Sequence, residues 1–191
     1  MYDFITIERR YACGGQQIAT KLSQKLNYRL YDHNMVVETC ERLDLPYNMI
    51  VGMDEQAPVN TLFNLPGEKY LPLEEKIFNT EVEIIQEAAK EPGAIFVGRC
   101  AGEVLKDKKC LRVFITASKE FRRERAIKVE KIARENAEKT MQKFDQRREK
   151  YFTAHSSARW GVPENFNLVL NSELLGVDAC VDILVTACKS I

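Results

Sequence analysis

Three stretches of the chain hold residues suited to phosphate chemistry, two of them where a strand gives way to a helix. The first reads Ile7-Glu8-Arg9-Arg10-Tyr11-Ala12-Cys13-Gly14-Gly15-Gln16-Gln17-Ile18-Ala19. Paired glycines between a buried strand and a helix let backbone N–H groups close around an anion, with the positive end of the helix dipole behind them. The regular G-x-x-x-x-G-K-[ST] spacing is absent. With Gly14 as its second glycine, Gly15 stands where the lysine belongs, and Gln16 or Gln17 where the Mg²⁺-binding hydroxyl belongs. On its own a glycine pair fits a plain tight turn equally well. The second stretch, Gly98-Arg99-Cys100-Ala101-Gly102, follows an apolar run. Arg99 there suits bidentate recognition of a phosphate, with a surface ion pair as the alternative. The third, Asp145-Gln146-Arg147-Arg148-Glu149-Lys150-Tyr151-Phe152, puts Asp145 and Arg148 three apart on one helical face. That spacing allows the carboxylate to orient the guanidinium.

The elements that must position these groups read as alternating strands and helices. Short apolar runs at Phe4 to Ile7, Ala94 to Val97, Leu111 to Ile115 and Leu168 to Leu170 predict buried strands, with a weaker one at Arg29 to Asp32. Ser118 predicts the N-cap of a long helix with Glu120 in its first turn. A last helix after Asn171-Ser172 sets Val177, Cys180, Val181, Leu184 and Val185 on one face. Two excursions interrupt this pattern. Residues 34–90 hold a Pro/Gly/Asn-rich centre from Pro46 to Pro72 and then a helix bearing Leu73, Ile77, Val82, Ile84 and Ile85; residues 129–162 form the other. The plan is an α/β fold, in which ligands bind at the carboxyl ends of parallel strands.

Composition narrows the classes of function. The 191 residues carry 28 Lys+Arg and 28 Asp+Glu, a formal charge of zero, with 45% hydrophobic residues, as in an ordinary globular domain. A zero balance argues against a nucleic-acid coat or a polybasic membrane protein. Asp3 stands where a signal peptide would carry basic residues, and no apolar run has the length of a membrane helix, so a cytoplasmic location is expected. The six cysteines stand singly and only two histidines are present, so reduced thiols and no structural metal are expected. The neutrality is uneven: Ser118 to Lys150 hold twelve Lys and Arg against seven Asp and Glu, a +5 arm. Much of it suits a solvated helix with pairs such as Glu124/Lys128.

The motifs resemble the cytidylate kinase-like family, a branch of the P-loop nucleoside monophosphate kinases. Its N-terminal motif runs approximately I-S-R-E-Y-G-S-G-G-x-x-I-A and is matched at Ile7, Arg9, Tyr11, Gly14, Gly15, Ile18 and Ala19, with Arg10, Ala12 and Cys13 as departures. That family lacks the loop lysine too. Gly98-Arg99-Cys100-Ala101 is similar to its G-R-C-A segment, where ordinary cytidylate kinases have G-R-D. Thr116 to Arg125 resembles T-A-S-x-E-x-R-x-x-R, Asp145 to Phe152 resembles the lid motif D-x-x-R-x-x-Y-Y, and Trp160 to Leu168 resembles W-G-x-P-x-x-Y-x-L.

The resemblance implies a three-layer α/β/α fold with a five-stranded parallel sheet in one domain. Residues 34–90 would be its acceptor (NMP-binding) insertion and residues 129–162 its lid. It implies Mg²⁺-dependent transfer from ATP to a nucleoside monophosphate, CMP or dCMP first. Arg9, Cys13, Gly14, Gly15, Gln16 and Gln17 would hold ATP phosphates, and Arg125 and Arg122 would lie against the donor base. Arg99 would bind the acceptor, while Arg148, with Asp145, would stabilise the transferring group in place of the missing lysine. Trp160 reads as an anchor for the lid's return, with base stacking as the alternative. A weak or inactive nucleotide-binding protein, or a kinase with another small acceptor, would use the same fold. A monomer or homodimer is expected, with nucleotides as partners and neither nucleic acid nor membrane.

Overall fold

A computed structural model describes residues 1–49 and 71–190. Most of the Pro46 to Pro72 centre expected between the first two helical segments lies outside the described residues. Strand β1 (Phe4–Arg9) leads through the glycine turn into α1 (Gly15–Leu26), then β2 (Arg29–Tyr31) and α2 (His33–Leu43). The chain resumes in α3 (Leu73–Ala88), β3 (Ala94–Val97), the single turn α4 (Ala101–Val104) and β4 (Cys110–Thr116). It continues through α5 (Lys119–Lys128), α6 (Ala137–His155), β5 (Leu168–Asn171), α7 (Ser172–Leu175) and α8 (Val177–Lys189).

The five strands are parallel and ordered β2-β3-β1-β4-β5, so the strand pattern is as expected, the weak Arg29 strand included. Side chains alternate across a strand, and both faces of this sheet are covered, which is why its inner strands read as unbroken apolar runs. One face presents Ile5, Ile7, Ile95, Val113 and Ile115 to Ile18 and Leu22 of α1 and to Val181 and Leu184 of α8. On the other, Phe4 and Phe96 meet Met35 of α2 and Ile84 and Ile85 of α3. Farther along that face Phe114 packs with Phe152 and Trp160. All six cysteines are buried free thiols.

Ser118 caps α5 as expected, its hydroxyl accepting the Phe121 N–H at 3.1 Å. The helix is shorter than expected. It ends at Lys128, where the Ile132 N–H turns back to the Ala126 carbonyl at 3.0 Å and Lys131 takes a left-handed φ of 59°. No glycine or proline signals this stop; burial of Ala126, with Ile132 packed against it, makes it. The final helical segment likewise divides, at Gly176 with φ 78°, into α7 and α8.

Ile7 is wholly buried in the central strand. Ile7→Ala should lower the unfolding free energy by about 2–5 kcal/mol in urea denaturation, and a loss below about 1 kcal/mol would contradict this packing.

Candidate active site at the carboxyl ends of the central strands

Strand order decides where the site lies. Because β3 and β4 flank β1, the loops following these three strands converge at one end of the sheet. The loop after β1 is shaped by left-handed residues, Ala12 at φ 57° and Gly14 at φ 83°. An alanine there costs about 1–2 kcal/mol over glycine; its methyl is buried against Ala126, Ala137 and Met141, which offsets the strain. Gly15 has a different reason to be glycine: a Cβ would lie 2.9 Å from the Arg9 Cβ. Among the described residues, no acceptor reaches the amides of Gly14, Gln16 and Gln17, which open the first turn of α1. Such amides are a ready anion site.

The side chains of this loop divide their tasks. Cys13 points inward, its Sγ 3.4 Å from the Ile115 carbonyl, and burial pushes its thiol pKa up. Its carbonyl accepts from the Ser172 hydroxyl at 2.5 Å, which ties the start of α7 to the loop. Cys13 therefore packs, and what it can offer a phosphate is backbone. The Gln16 amide donates to the Asp32 carboxylate at the end of β2. Gln17 Oε1 accepts from Arg125 at 3.3 Å, and a Cβ on Gly14 would lie 3.5 Å from Arg125 Nε.

The loop after β3 contains three successive left-handed residues, Gly98 (φ 80°), Arg99 (φ 58°) and Cys100 (φ 51°). A Cβ at Gly98 would fall 2.5 Å from Arg9 Nη1, so the glycine makes room for that guanidinium. Arg99 Nη1 lies 3.2 Å from Glu81 Oε1 of α3, and its guanidinium is 5.7 Å from the ring centre of Tyr151 of α6. The Tyr151 hydroxyl donates to the other oxygen of Glu81. Cys100 turns away, its Sγ 3.7 Å from the Phe152 carbonyl, and burial pushes its thiol pKa up.

Helix α6 closes over both loops. Asp145 accepts the Tyr11 N–H at 2.7 Å through one oxygen and Arg122 at 2.8 Å through the other, with Arg10 at 3.6 Å. The direct partners of Asp145 are thus the loop amide and Arg122, rather than Arg148 as its spacing suggested. Tyr11 heads a tight turn whose amide needs an acceptor, and the carboxylate lies over it. Arg122 also donates to the Tyr11 carbonyl at 3.1 Å, so it braces the loop, while Arg125 lies beside Gly14 and Gln17. Arg148 donates to the Arg9 carbonyl at 3.0 Å and lies 5.8 Å from the Tyr11 ring, which stacks on Phe144 at 4.6 Å.

These groups enclose a cavity of about 140 Å³ lined by Glu8, Arg9, Gly98, Arg99, Phe144, Arg147, Arg148, Tyr151 and Phe152. Burial, together with the nearby Arg148, pushes the Arg9 pKa down to about 9. Burial also lowers that of Arg148, opposed by the charge of Asp145. A cluster of guanidinium groups around one cavity makes a receptor for an anion. Burial pushes Glu8 the other way, up from the carboxylate range, although Arg9 opposes it. Glu8 accepts the Trp160 indole N–H at 3.3 Å, and Trp160 packs edge-on against Phe114 at 5.2 Å, which fits the anchoring role.

Sequence reasoning gave Glu8 and Glu81 no part here. Each is an acid set into a buried stripe, Glu8 near the end of β1 and Glu81 on α3 four residues from Ile77. That misplaced charge was the signal available. His155 stacks on Phe78 at 3.7 Å and does not line the cavity. Among the described residues no group of three His, Cys, Asp or Glu side chains could hold a metal, and no helix is long and apolar enough to cross a membrane.

Comparison with known proteins fits this geometry. The structure is similar to that of an uncharacterized protein from Eubacterium ventriosum, with TM-score 0.76 and 23% identity over 98% of this chain and 99% of that one. It is similar to shikimate kinase from Bacteroides thetaiotaomicron, with TM-score 0.62 and 12% identity over 99% of both chains. Shikimate kinase from Acinetobacter baumannii, in complex with shikimate, matches with TM-score 0.58 and 12% identity over 100% of this chain and 97% of that one. No curated protein matches the sequence. The fold is therefore the three-layer α/β/α architecture of P-loop kinases. Residues 4–174, which contain the phosphate loop, Arg99 and α6, match one family throughout, and the protein belongs to the cytidylate kinase-like family.

Proposed function

We propose that the protein transfers the γ-phosphoryl group of ATP to a nucleoside monophosphate, CMP or dCMP first. The observation that carries this reading is the arginine-lined cavity directly beside an N-terminal glycine loop with open amides. Family membership supports a kinase-type phosphoryl transfer, and the acceptor is the step added here.

The roles follow from position. The amides of Gly14, Gly15, Gln16 and Gln17 hold ATP phosphates, and the base lies on the Arg125 side. Arg122 keeps the loop in shape through Tyr11. Residues 34–90 serve as the acceptor segment and residues 129–162 as the lid. Arg9 and Arg99 bind the acceptor's phosphate from β1 and β3. Arg148, on α6, supplies charge at the transferring group, where phosphoryl transfer gains most from positioning and electrostatics. A lid that excludes water also suppresses hydrolysis of ATP.

Mg²⁺ usually keeps several waters and takes only one or two protein carboxylates beside the substrate's phosphates. Asp32, hydrogen-bonded to Gln16 at the start of α1, is a donor of that kind. Bound with ATP, the ion supplies neutralisation of β- and γ-phosphate charge.

A coupled ADP-release assay across nucleoside monophosphates, with thermal-shift measurements on the same ligands, should show Mg²⁺-dependent turnover with CMP or dCMP. ATP binding without turnover of any acceptor would overturn the reading. Arg148→Ala should lower kcat by about 10³-fold or more, the scale of a transition-state arginine. A loss within about threefold would remove Arg148 from that role.

A further inference from the structure

Arg99 sits on backbone that no helix or strand holds, in the second of three consecutive left-handed residues. The direction of its guanidinium is therefore set by what its side chain meets, and groups from two other elements are among these contacts. Glu81 is 0% exposed on the inward stripe of α3, among Ile77, Ile84 and Ile85. A carboxylate in such a place is costly unless it is paired and hydrogen-bonded, and an apolar residue would pack there more cheaply. Its two oxygens are divided between partners: Oε1 lies 3.2 Å from Arg99 Nη1, and Oε2 accepts the Tyr151 hydroxyl. Tyr151 in turn faces the Arg99 guanidinium with its ring, 5.7 Å away, and meets Phe78 of α3 edge-on at 6.1 Å.

We infer that Glu81 and Tyr151 are positioning residues for Arg99, and that Tyr151 makes the presentation of Arg99 depend on the docking of α6 against α3. Glu81 holds one edge of the guanidinium from outside the cavity, and Arg99 lines the cavity itself. The Tyr151 hydroxyl gives Glu81 Oε2 its hydrogen bond, and the Tyr151 ring faces the guanidinium. Tyr151 and Arg148 lie three residues apart on α6 and both line the cavity. One docking event therefore delivers Arg148 and fixes Arg99, so the two cations meet an incoming phosphate as a preset pair. The ligand class is a phosphate monoanion or dianion. The kinetic part of the test rests on the phosphoryl-transfer reading, and the binding part does not.

Trp160, the sole tryptophan, donates to Glu8 at the cavity wall and so reports on occupancy through its fluorescence. Inorganic phosphate should be titrated at constant ionic strength into the wild-type chain and into Tyr151→Phe, which keeps the ring and removes only the hydroxyl. The half-saturating phosphate concentration is expected to rise about tenfold, the scale of one hydrogen bond to a charged group, while the ATP concentration that half-saturates the thermal shift stays unchanged. Glu81→Gln should weaken phosphate in the same direction. With an acceptor in hand, KM for the acceptor should rise in Tyr151→Phe and KM for ATP should not. Three results would overturn the inference: no response of the wild type to phosphate, unchanged phosphate binding in Tyr151→Phe, or equal weakening of ATP and phosphate alongside a fall in Tm. Absence of turnover with every nucleoside monophosphate would sink the proposed activity and leave the phosphate titration decisive for this one.

Discussion

Holding several guanidinium groups around one small cavity is the constraint to which the rest of this structure answers. Arg9, Arg99, Arg147 and Arg148 all line it. How each is held decides how it faces the cavity. Arg148 gives a hydrogen bond to the Arg9 carbonyl, a neutral acceptor. Arg99 is faced by an aromatic ring, and its carboxylate partner lies behind it on α3. The one acid in the cavity wall, Glu8, has a raised pKa and is engaged by Trp160. The result is positive charge kept rigid and available, the preorganisation on which electrostatic catalysis depends.

Asp145 performs the complementary task of joining α6 to the glycine loop. A single carboxylate takes the Tyr11 amide and the Arg122 guanidinium, while stacking of Tyr11 on Phe144 closes the same junction from the side. The loop lacks the lysine of regular P-loops, and the place beside Gly15 where it would begin is filled by the stem of Arg9. Under the proposed reading, cationic charge near the transferring phosphate would come instead from outside the loop, from Arg9 on β1 and Arg148 on α6. The cluster of arginines around the cavity is complete only when α6 is in place.

Much of this was legible in the sequence, for physical reasons. Strands buried on both faces must be apolar throughout, so Ala94 to Val97 declared itself, and a turn that needs a left-handed residue before a helix declared itself at Gly14. Ser118 announced α5 because few side chains can accept an N-terminal amide. What stayed hidden depends on contacts between distant elements. Glu81 belongs to a helical stripe that reads as core, and only the arrival of Arg99 and Tyr151 gives it a purpose. Arg122 and Arg125 are three apart in one motif, yet one turns under the loop and the other lies along it, a distinction made by packing and not by spacing. The direct partner of Asp145 was misread for the same reason, since a backbone amide carries no signature in the sequence.

Ala12 carries a consequence for how the protein opens. Its methyl is shared: it belongs to the phosphate loop but is buried with Ala126 of α5 and with Ala137 and Met141 at the start of α6. The glycine loop, the end of α5 and the start of α6 are therefore parts of one small core. A rigid swing of α6 away from the sheet would pull that methyl into water and release a residue whose left-handed backbone this contact helps to hold. Displacement of α6 and relaxation of the glycine loop are in this way coupled, and under the proposed phosphoryl-transfer reading departure of a spent nucleotide and uncovering of the acceptor site would share one barrier.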